Sequence, residues 1–455
     1  MATTSAYNRH ARPRPPRPGL TAPRVVGAVA QLLVGAGALA VIGLWWADTT
    51  SVVGLSGWLT NAGRVTGLLA GYACAVLLAS MSRLPVLERA VGSDRLARWH
   101  ALGGRYTISL TLAHVLLITL GYAAGDHAGV VDQAATFIRT YPDMLAATAG
   151  FVLLVATGVL SARAVRRRLS YETWHYLHFA TYLAVFLAFF HQLSNGADFV
   201  THRPAQAAWY ALYTGVAALL VWYRFLTPVR RGLRHRLVVT EVRPEAPGVV
   251  SVFMTGRHLE GLGAEPGQFF RWRFLTRGMW WTANPYSLSA PPGPGRLRIT
   301  VKAVGRHSEA LARLRPGTRV WAEGPYGAFT AARRTSPKVL LLGGGVGITP
   351  LRALFETLPG EVTLVYRARR PEDVALWREL DAIAARRGAT VHYVVDEPAE
   401  HSSPLTAGGL AVLVPDIAER DVYLCGPPGM TSAAIPALRR AGVPRRRIHH
   451  ESFAF

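Results

Sequence analysis

RWHALGGRYTISLTLAHVLLITLGY, residues 98–122, sets the architecture of this 455-residue chain. The stretch is long and apolar enough to cross a bilayer, yet it carries two imidazoles, His100 and His114. Ionisable side chains at membrane depth are costly and usually functional. Fourteen residues of helix rise about 21 Å, which fits within a hydrocarbon core of about 30 Å. The stretch therefore predicts one imidazole near each face of a membrane.

Apolar runs of similar length recur through the first half of the chain. Hydrophobic residues make up 50% of the sequence, and they concentrate in runs near the roughly 20 residues that a spanning helix needs. We predict six membrane-spanning helices from these runs. They cover Val25–Ala47, Val65–Met81, Leu102–Ala123, Met144–Ala164, Thr173–Leu193 and Ala205–Leu226.

The fifth run carries candidate partners for the two histidines, thirteen residues apart. The third and fifth runs cross in the same direction, so their inner and outer histidines lie at matching depths. The predicted pairs are His100 with His178 and His114 with His191. At 100° per residue, two side chains fourteen positions apart on a helix point within about 40° of the same direction. Two side chains thirteen positions apart point about 140° away from each other. The fifth helix must therefore bend, tilt or reach with its side-chain torsions to aim both rings inward, and His175 remains an alternative at the inner site.

Two bis-histidine sites stacked across a bilayer are the geometry of two b-type haems, so these four histidines are predicted iron ligands. The competing interpretation is that they are polar residues satisfied inside a helical bundle, or a metal or proton site. Cys74 and Cys425 are the two cysteines, too few for a four-thiolate iron–sulfur cluster. No C-x-x-C-H sequence occurs, so any haem would be bound non-covalently.

The charge distribution predicts the orientation of the chain. Its net charge of +23 comes largely from arginines that cluster in alternate loops, around residues 9–24, 83–98, 163–168 and 224–236. This positive-inside pattern places both termini in the cytoplasm of a multi-pass plasma-membrane protein in contact with lipid. Because the basicity follows this pattern, we expect no nucleic-acid partner. Residues 1–24, rich in proline and arginine, predict a disordered basic cytoplasmic tail, and the long first run is not a cleaved signal.

The second half of the chain predicts two further domains. We place a six-helix membrane domain at 25–227, an antiparallel β-barrel at 228–332 and an α/β nucleotide-binding domain at 333–455, with TPVRRGLRHR as a basic linker. Two segments of the barrel domain alternate apolar and polar residues with the two-residue period of a strand, with turn residues between them. They are HRLVVTEVRPEAPGVVSVFMTG and GRLRITVKAVG. From Pro337 onward strands alternate with helices, which predicts a parallel sheet with helices on both faces.

The sequence Asn284-Pro285-Tyr286-Ser287 resembles the R-x-Y-S/T motif of ferredoxin–NADP reductase-type flavin domains. The resemblance implies that the aromatic residue packs on the flavin, the serine bonds its reactive edge, and the first residue meets the phosphate. Asn284 stands where arginine or histidine is usual, which removes a charge from the diphosphate site. In this interpretation a second segment compensates for the missing charge at the diphosphate, by offering a glycine, backbone N–H groups, a hydroxyl and an arginine. This segment is Gly305-Arg306-His307-Ser308.

LLLGGGVGITPL, residues 340–351, is the strongest local signal in the second half. An apolar strand, a glycine turn and a helix start are the context in which a diphosphate binds a helix N-terminus. Arginines after the next strand suit a 2′-phosphate and favour NADPH over NADH, although a solvated basic face is the alternative. The predicted nucleotide-binding residues are Gly343, Gly344, Gly345, Gly347, Thr349, Pro350, Arg367 and Arg369, with Arg370 beside them.

The last strand leads into LCGPPGM, residues 424–430, which resembles the C-G-P motif of the same reductases. The resemblance places Cys425, with Gly426 and Pro427, beside the nicotinamide. A buried structural cysteine is the alternative. The chain ends HHESFAF, where the resemblance implies that Glu451 and a terminal aromatic residue lie on the flavin. Phe453 matches that aromatic best, and Phe455 is the alternative.

In order and spacing, these motifs resemble the NADPH oxidase and ferric reductase family over residues 25–455. The resemblance implies FAD, two haems b and a nicotinamide donor, NADPH with NADH as the alternative. It also implies that Ser287, Cys425 and Glu451 align hydride transfer to the flavin. Electrons would then pass through the inner and outer haems to an acceptor outside the cell.

Two other functions remain open from the sequence. One is a flavin reductase merely anchored by its spans, and the other is a haem-binding transporter or scaffold with a vestigial reductase. Dithionite-reduced minus oxidised absorbance spectra distinguish these functions, because a merely anchored flavin reductase would show no bis-histidine haem bands. The sequence does not name the acceptor, which is a ferric chelate, oxygen, a quinone or an outer-face protein partner. His127, His202 and Arg203 lie in the outer loops near the exit.

Overall fold

The computed structural model describes residues 22–49, 51–166, 168–169, 171–395 and 405–452 of the chain. Most of the predicted N-terminal tail, residues 1–21, lies outside the described residues. So do the two predicted flavin aromatics, Phe453 and Phe455.

The first half of the described chain is helical. A π-helical turn, Val221–Leu226, joins the last two of its helices. The helices are α1 Ala22–Asp48, α2 Gly54–Ser80, α3 Pro85–Val91, α4 Ser93–Gly125, α5 Val130–Thr140, α6 Met144–Ser161, α7 Arg163–Arg166, α8 Tyr171–His178, α9 Ala180–Asn195, α10 Ala197–Val200, α11 Arg203–Leu220 and α12 Thr227–His235.

Six helical segments of the described chain are long and apolar enough to cross a membrane, so the predicted number of spans is confirmed. The predicted start of the second span was wrong, because its helix begins at Gly54 and not at Val65. The added turns contain Asn61 and Arg64, which lower the local hydropathy. Both have partners inside the bundle: Trp45 Nε1 donates to Asn61 Oδ1 at 3.0 Å, and Arg64 pairs with Asp198 at 2.6 Å.

Glycines bring α2 and α4 close together. A Cβ built on Gly63 would lie 2.7 Å from the side chain of Ile118, and one on Gly121 would lie 2.4 Å from Thr60 Oγ1. Small residues at such contacts let two membrane helices approach until their backbones nearly touch. This contact fixes the depth of α4, and with it the depth of both histidines on that helix.

The fifth span is interrupted at Phe179, directly after His178. Helix α8 ends at His178 and α9 begins at Ala180. Around the break the chain makes shorter i to i+3 hydrogen bonds, from Phe179 N to Tyr176 O at 3.1 Å and from Tyr182 N to Phe179 O at 3.0 Å. The fifth helix is therefore deformed next to the inner histidine, and a bend was one of the predicted ways to aim both rings inward.

The sixth span continues through the π-helical turn into α12, so the predicted linker TPVRRGLRHR is helical over Thr227–His235. Pro228 lies in the first turn of α12, where a missing N–H is tolerated. The helix ends at Arg236, which has a positive φ of 43°. Beyond it the chain enters the first strand.

The second domain is an antiparallel sheet of six strands in the order β4-β3-β6-β1-β2-β5. A bridge between Leu288 and Ile299 brings the chain after β4 against β5 and closes the sheet on itself. The buried core inside it includes Phe270, Trp272 and Met254. The strands are β1 Leu237–Ala246, β2 Val249–Thr255, β3 Phe269–Phe274, β4 Asn284–Ser287, β5 Arg296–Lys302 and β6 Arg319–Tyr326, and the short helix α13 is Arg306–Ala310.

The third domain is a parallel sheet of five strands in the order β11-β10-β7-β8-β9, with helices packed on it. The predicted fold class is confirmed by these two sheets and the six spans. The elements are β7 Lys338–Gly344, α14 Ile348–Thr357, β8 Glu361–Ala368, α15 Trp377–Arg387, β9 Thr390–Val395, α16 Ala407–Leu413, β10 Asp421–Gly426, α17 Pro428–Arg440 and β11 Ile448–Ser452.

An ion-pair network joins the two sheet domains. Arg298 of β5 makes two bonds to Glu379 of α15, at 2.5 and 2.9 Å, and Arg352 Nε reaches the same carboxylate at 2.9 Å. Burial tends to raise the pKa of Glu379, but the two guanidinium groups outweigh burial and hold that pKa below its usual value. The carboxylate is therefore ionised and fixes α15 against the barrel.

Candidate functional site

The structure brings the histidines of the third and fifth spans together in two pairs. The rings of His114 and His191 have centres 6.4 Å apart, and those of His100 and His178 have centres 5.9 Å apart. Two rings on opposite sides of one metal have centres about 6 Å apart, given metal–nitrogen bonds of about 2 Å. The spacing at both levels therefore suits one metal between each pair.

The outer pair has the hydrogen bonding of a ligand. His114 Nδ1 lies 2.8 Å from the carbonyl oxygen of Gly63, which accepts only, so Nδ1–H is the donor. This tautomer leaves the Nε2 lone pair of His114 free for a metal. Gly67 supplies the room, because a Cβ built there would lie 2.5 Å from His114 Nδ1.

The inner pair is oriented by the neighbouring helices. His178 Nδ1 lies 3.3 Å from Ser161 Oγ at the end of α6, and Trp174 Nε1 donates to the same hydroxyl at 3.3 Å. Trp174 also stacks on His178, with ring centres 5.2 Å apart. His178 is thus the ring beside His100, whereas His175 packs on Phe179 at 4.6 Å.

Each histidine pair could supply two nitrogen ligands to a metallo-cofactor, because its two rings face each other at the spacing given above. Among the described residues, no group of three or more histidine, cysteine, aspartate or glutamate side chains is placed to hold a metal. A haem would bring four nitrogen ligands of its own, so two histidines at each level fit its needs. The ligand roles of the four histidines remain predictions.

The predicted flavin motif forms the edge strand β4, paired with β3. Ser287 lies opposite Phe269, and Tyr286 lies opposite Phe270. Ser287 is buried, and its hydroxyl has no hydrogen-bond partner within the described part of the chain. Burial raises the pKa of Tyr286 to about 12, so its ring stays neutral. An orphaned hydroxyl beside a neutral aromatic ring suits the polar edge of a flavin.

The second predicted phosphate segment opens helix α13. Ser308 Oγ accepts from Val304 N at 2.9 Å and donates to Gly305 O at 2.8 Å, so this hydroxyl holds the turn closed. His307 Nδ1 lies 3.4 Å from Thr282 Oγ1, which links the turn to the segment just before β4. The structure therefore brings the segment before Asn284 and the turn that carries Arg306 to the same side of the barrel, where Arg271 also lies, bonded to the carbonyl oxygen of Ala283 at 3.0 Å.

The glycines in the turn after β7 leave space for neighbouring atoms of the C-G-P segment as well as for a nucleotide. A Cβ on Gly344 would lie 2.1 Å from Met430 Sδ, and one on Gly347 would lie 2.2 Å from the carbonyl oxygen of Cys425. Gly345 has a positive φ of 53°, which a glycine adopts without strain. Thus two of the four glycines let the C-G-P segment pack against this turn. Gly343 lies at the end of β7, and Thr349 and Pro350 are buried in the first turn of α14.

The C-terminal strand brings the distant catalytic candidates together. In the parallel sheet, Cys425 is the register partner of both Gly343 and Glu451. A Cβ on Gly327 would lie 3.2 Å from Glu451 Oε1 and 3.2 Å from the ring of Phe269, the partner of Ser287. Glu451 therefore lies near Phe269 and so on the side of the barrel that carries Ser287, while Cys425 beside it is fully buried, as the structural alternative predicted. Gly426 and Pro427 turn from β10 into α17.

The arginines after β8 differ in their surroundings. Arg370 bonds Glu372 at 3.0 Å and Asp373 at 3.2 Å, which commits its charge to neighbouring acids. Arg369 is exposed, and Arg367 is half-buried at the end of β8. Arg369 is therefore better placed than Arg370 to meet a phosphate.

Two polar networks were missed from the sequence. At the end of the bundle farther from the barrel, Arg64 pairs with Asp48 at 3.1 Å and with Asp198, and Asp48 meets His202 at 2.7 Å. At the end next to the barrel, Arg83 pairs with Glu323 of β6. The charged residues at the ends of the apolar runs could have indicated such networks in the sequence. Which residues pair with one another is decided only by tertiary contacts.

Comparison with known proteins identifies both halves of the chain. Residues 66–189 match the ferric reductase like transmembrane component, and residues 341–435 match the oxidoreductase NAD-binding domain. An NADPH oxidoreductase of Mycobacterium tuberculosis is 30% identical over 291 residues, which cover 58% of this chain and 75% of that protein.

Other relatives match about half of the chain. The stachydrine N-demethylase reductase subunit of Rhizobium meliloti is 32% identical over 225 residues, 46% of this chain and 64% of that protein. The chain thus spans less than two thirds of that subunit. The solved ferredoxin reductase in carbazole 1,9a-dioxygenase is 25% identical, with a TM-score of 0.42, and the match covers 48% of this chain and 69% of that one.

Proposed function

Because the chain belongs to the family that fuses a ferric reductase-like transmembrane domain to a ferredoxin reductase-type FAD and NAD-binding domain, we propose that it is a transmembrane oxidoreductase. In this proposal electrons pass from cytoplasmic NAD(P)H, through FAD and two haems b, to an acceptor on the outer face. The observation that carries it is the pair of facing histidine sites at two depths between the same two spans.

The position of the flavin barrel supports this route. Glu323 of β6 pairs with Arg83, in the loop at the end of α2 nearest the inner histidines. The opposite end of the bundle carries the Asp48, Arg64 and Asp198 network. The electron source and the exit are thus at opposite ends of the bundle. With the arginine-rich loops on the flavin side, the proposal places both termini in the cytoplasm and the protein in the plasma membrane.

The chain's own residues would organise the cytoplasmic step. Bound FAD would accept a hydride from the nicotinamide and release single electrons. Ser287 Oγ, buried and unpartnered within the described residues, would donate to the flavin edge. Cys425 and Glu451, side by side on β10 and β11, would hold the nicotinamide beside the flavin. Arg367 and Arg369 would bind the 2′-phosphate of NADPH.

The histidines would position the membrane cofactors. His114, with Nδ1–H bonded to Gly63, and His178, beside Ser161, would each present Nε2 to an iron. The acceptor is proposed to be a ferric chelate or oxygen, with a quinone or an outer-face protein as alternatives. The outer network that includes His202 and Asp48 lines the exit in this proposal.

Absorbance spectra of the purified protein test the proposal. Dithionite-reduced minus oxidised spectra should show bis-histidine haem bands at two haems per chain, and NADPH should produce the same bands under argon. Absence of these bands would leave a flavin reductase anchored by its spans, in line with the reductase subunits among its relatives. NADPH oxidation with ferric chelate, with and without oxygen, then identifies the acceptor.

A further inference from the structure

The loop between α2 and α3 is wedged between the membrane helices and the flavin barrel. The carbonyl oxygen of Met81 accepts a bond from Arg224 Nη1 of the sixth span at 3.2 Å. Arg83 extends from the same loop to Glu323 of β6, and its guanidinium carbon lies 5.8 Å from the ring centre of Tyr326. One short loop therefore touches the sixth span on one side and the barrel on the other.

The Arg83–Glu323 ion pair is shielded from water. The side chain of Arg83 is 13% exposed and that of Glu323 is 7% exposed. Arg83 also has a positive φ of 65°, a conformation that a residue with a side chain keeps only where its surroundings enforce it. A buried pair and a constrained backbone at one residue indicate a fixed contact between the two halves.

This contact lies between the two predicted redox sites. Tyr326 packs on Phe269 with ring centres 5.8 Å apart, and Phe269 is the strand partner of the flavin-site residue Ser287. On the membrane side, Arg224 bonds both the loop that carries Arg83 and the Tyr182 hydroxyl, the latter at 3.4 Å, one helical turn after the inner residue His178. The pair is therefore placed to set the separation of the flavin site from the inner histidines.

We propose that the Arg83–Glu323 pair is a latch between the flavin barrel and the membrane domain, and that Arg83 is a positioning residue for electron delivery to the inner histidine site. The redox part of this inference rests on the proposed function; the docking part does not. Electron transfer between two centres slows as their separation grows, and the protein's part is to fix that separation. Opening the latch should therefore slow the step between the halves while the chemistry within the barrel continues.

The chain offers a matched control on the same carboxylate. Arg273 Nη2 lies 3.5 Å from Glu323 Oε1, but Arg273 belongs to β3 of the barrel itself. Arg273→Gln removes a cation from Glu323 without removing a contact between the halves. Arg83→Gln removes the contact, and Arg83→Lys keeps its charge.

Hydrogen exchange of the full-length protein in detergent tests the docking. In Arg83→Gln and Glu323→Gln, amides of residues 81–92 should exchange at least about 10-fold faster, with the barrel core unchanged. Arg273→Gln should match the unmodified protein, and Arg83→Lys should lie between them. Equal exchange in Arg83→Gln and Arg273→Gln overturns the latch. Because this readout needs neither haem nor turnover, it decides the latch even if the proposed function fails.

Rapid mixing with NADPH under argon tests the positioning role. Haem reduction should slow at least about 10-fold in Arg83→Gln, whereas flavin reduction and direct ferricyanide reduction should stay within about twofold. A parallel loss of all three rates would show that Arg83 supports flavin binding instead, which overturns the positioning role. If the unmodified protein has no haem to reduce, the proposed function fails and the exchange result still stands.

Discussion

Gly67 lies directly against the imidazole of His114: a Cβ on Gly67 would come within 2.5 Å of His114 Nδ1. The ring and the glycine are on neighbouring helices, α4 and α2. The Nδ1–H bond to Gly63 is made in the same narrow space, at 2.8 Å. The orientation of the outer histidine therefore depends on the absence of a side chain one helical turn along α2.

We predict that Gly67→Ala removes the outer haem and spares the inner one. The added methyl group must push the His114 ring away from its carbonyl partner, so the haem content by pyridine haemochrome assay should fall from two to about one per chain. Gly43→Ala is the control, because a Cβ on Gly43 of α1 meets no atom within 4 Å. Two haems in both variants would contradict the predicted outer site.

Replacing His178 and His175 separately distinguishes the two inner candidates. His178→Ala should lose the inner haem, because His178 is the ring 5.9 Å from His100. His175→Ala should keep both haems, because His175 packs on Phe179. Optical spectra and haem content of the two variants check this. Loss of haem in His175→Ala alone would transfer the ligand role to His175.

The preference for NADPH should depend on Arg369 more than on Arg370. Loss of a charge-assisted hydrogen bond to a phosphate costs about 1.5–3 kcal/mol, which is about 10–100-fold in affinity. Arg369→Gln should raise the KM for NADPH by about that factor and leave the KM for NADH nearly unchanged. Arg370→Gln should change neither, because Arg370 is paired with Glu372 and Asp373. Equal effects on both nucleotides would argue against a 2′-phosphate site here.

Glu379→Gln should destabilise the junction between the barrel and the nucleotide domain. Arg298, whose side chain is 5% exposed, would keep a buried charge without its carboxylate, at a cost of about 3 kcal/mol. Glu241→Gln breaks the exposed pair with Arg243 and should cost less than about 1 kcal/mol. Thermal or denaturant unfolding of the two variants measures the difference. Similar losses in both would show that the junction pair adds no stability.

Asp421 should make the nucleotide domain sensitive to acid. Burial tends to raise the pKa of Asp421, but His449 and the N–H groups of Thr335 and Ser336 outweigh it, so the folded-state pKa is depressed. The resulting stability is present above the unfolded pKa of about 3.9 and is lost as the pH falls through the lower folded value. Asp421→Asn should be less stable at pH 7 and show a weaker acid dependence. An identical pH profile in the variant would refute this assignment.

The six spans, the histidine spacings and the order of the nucleotide motifs could be predicted from the sequence, because each depends on local periodicity or a short motif. A bend in the fifth helix was one expectation from the thirteen-residue spacing, but a break at Phe179 was not. Its position depends on how His178 packs against α6, through Ser161 and Trp174.

The sequence by itself determined which segments cross the membrane and which residue types are available for redox chemistry. Only the tertiary structure decided that His178 faces His100, that Cys425 lies beside Glu451, and that Arg83 reaches Glu323. These relationships join residues far apart in the chain. They follow from strand register, helix depth and the close approach that glycines allow, which no local pattern encodes.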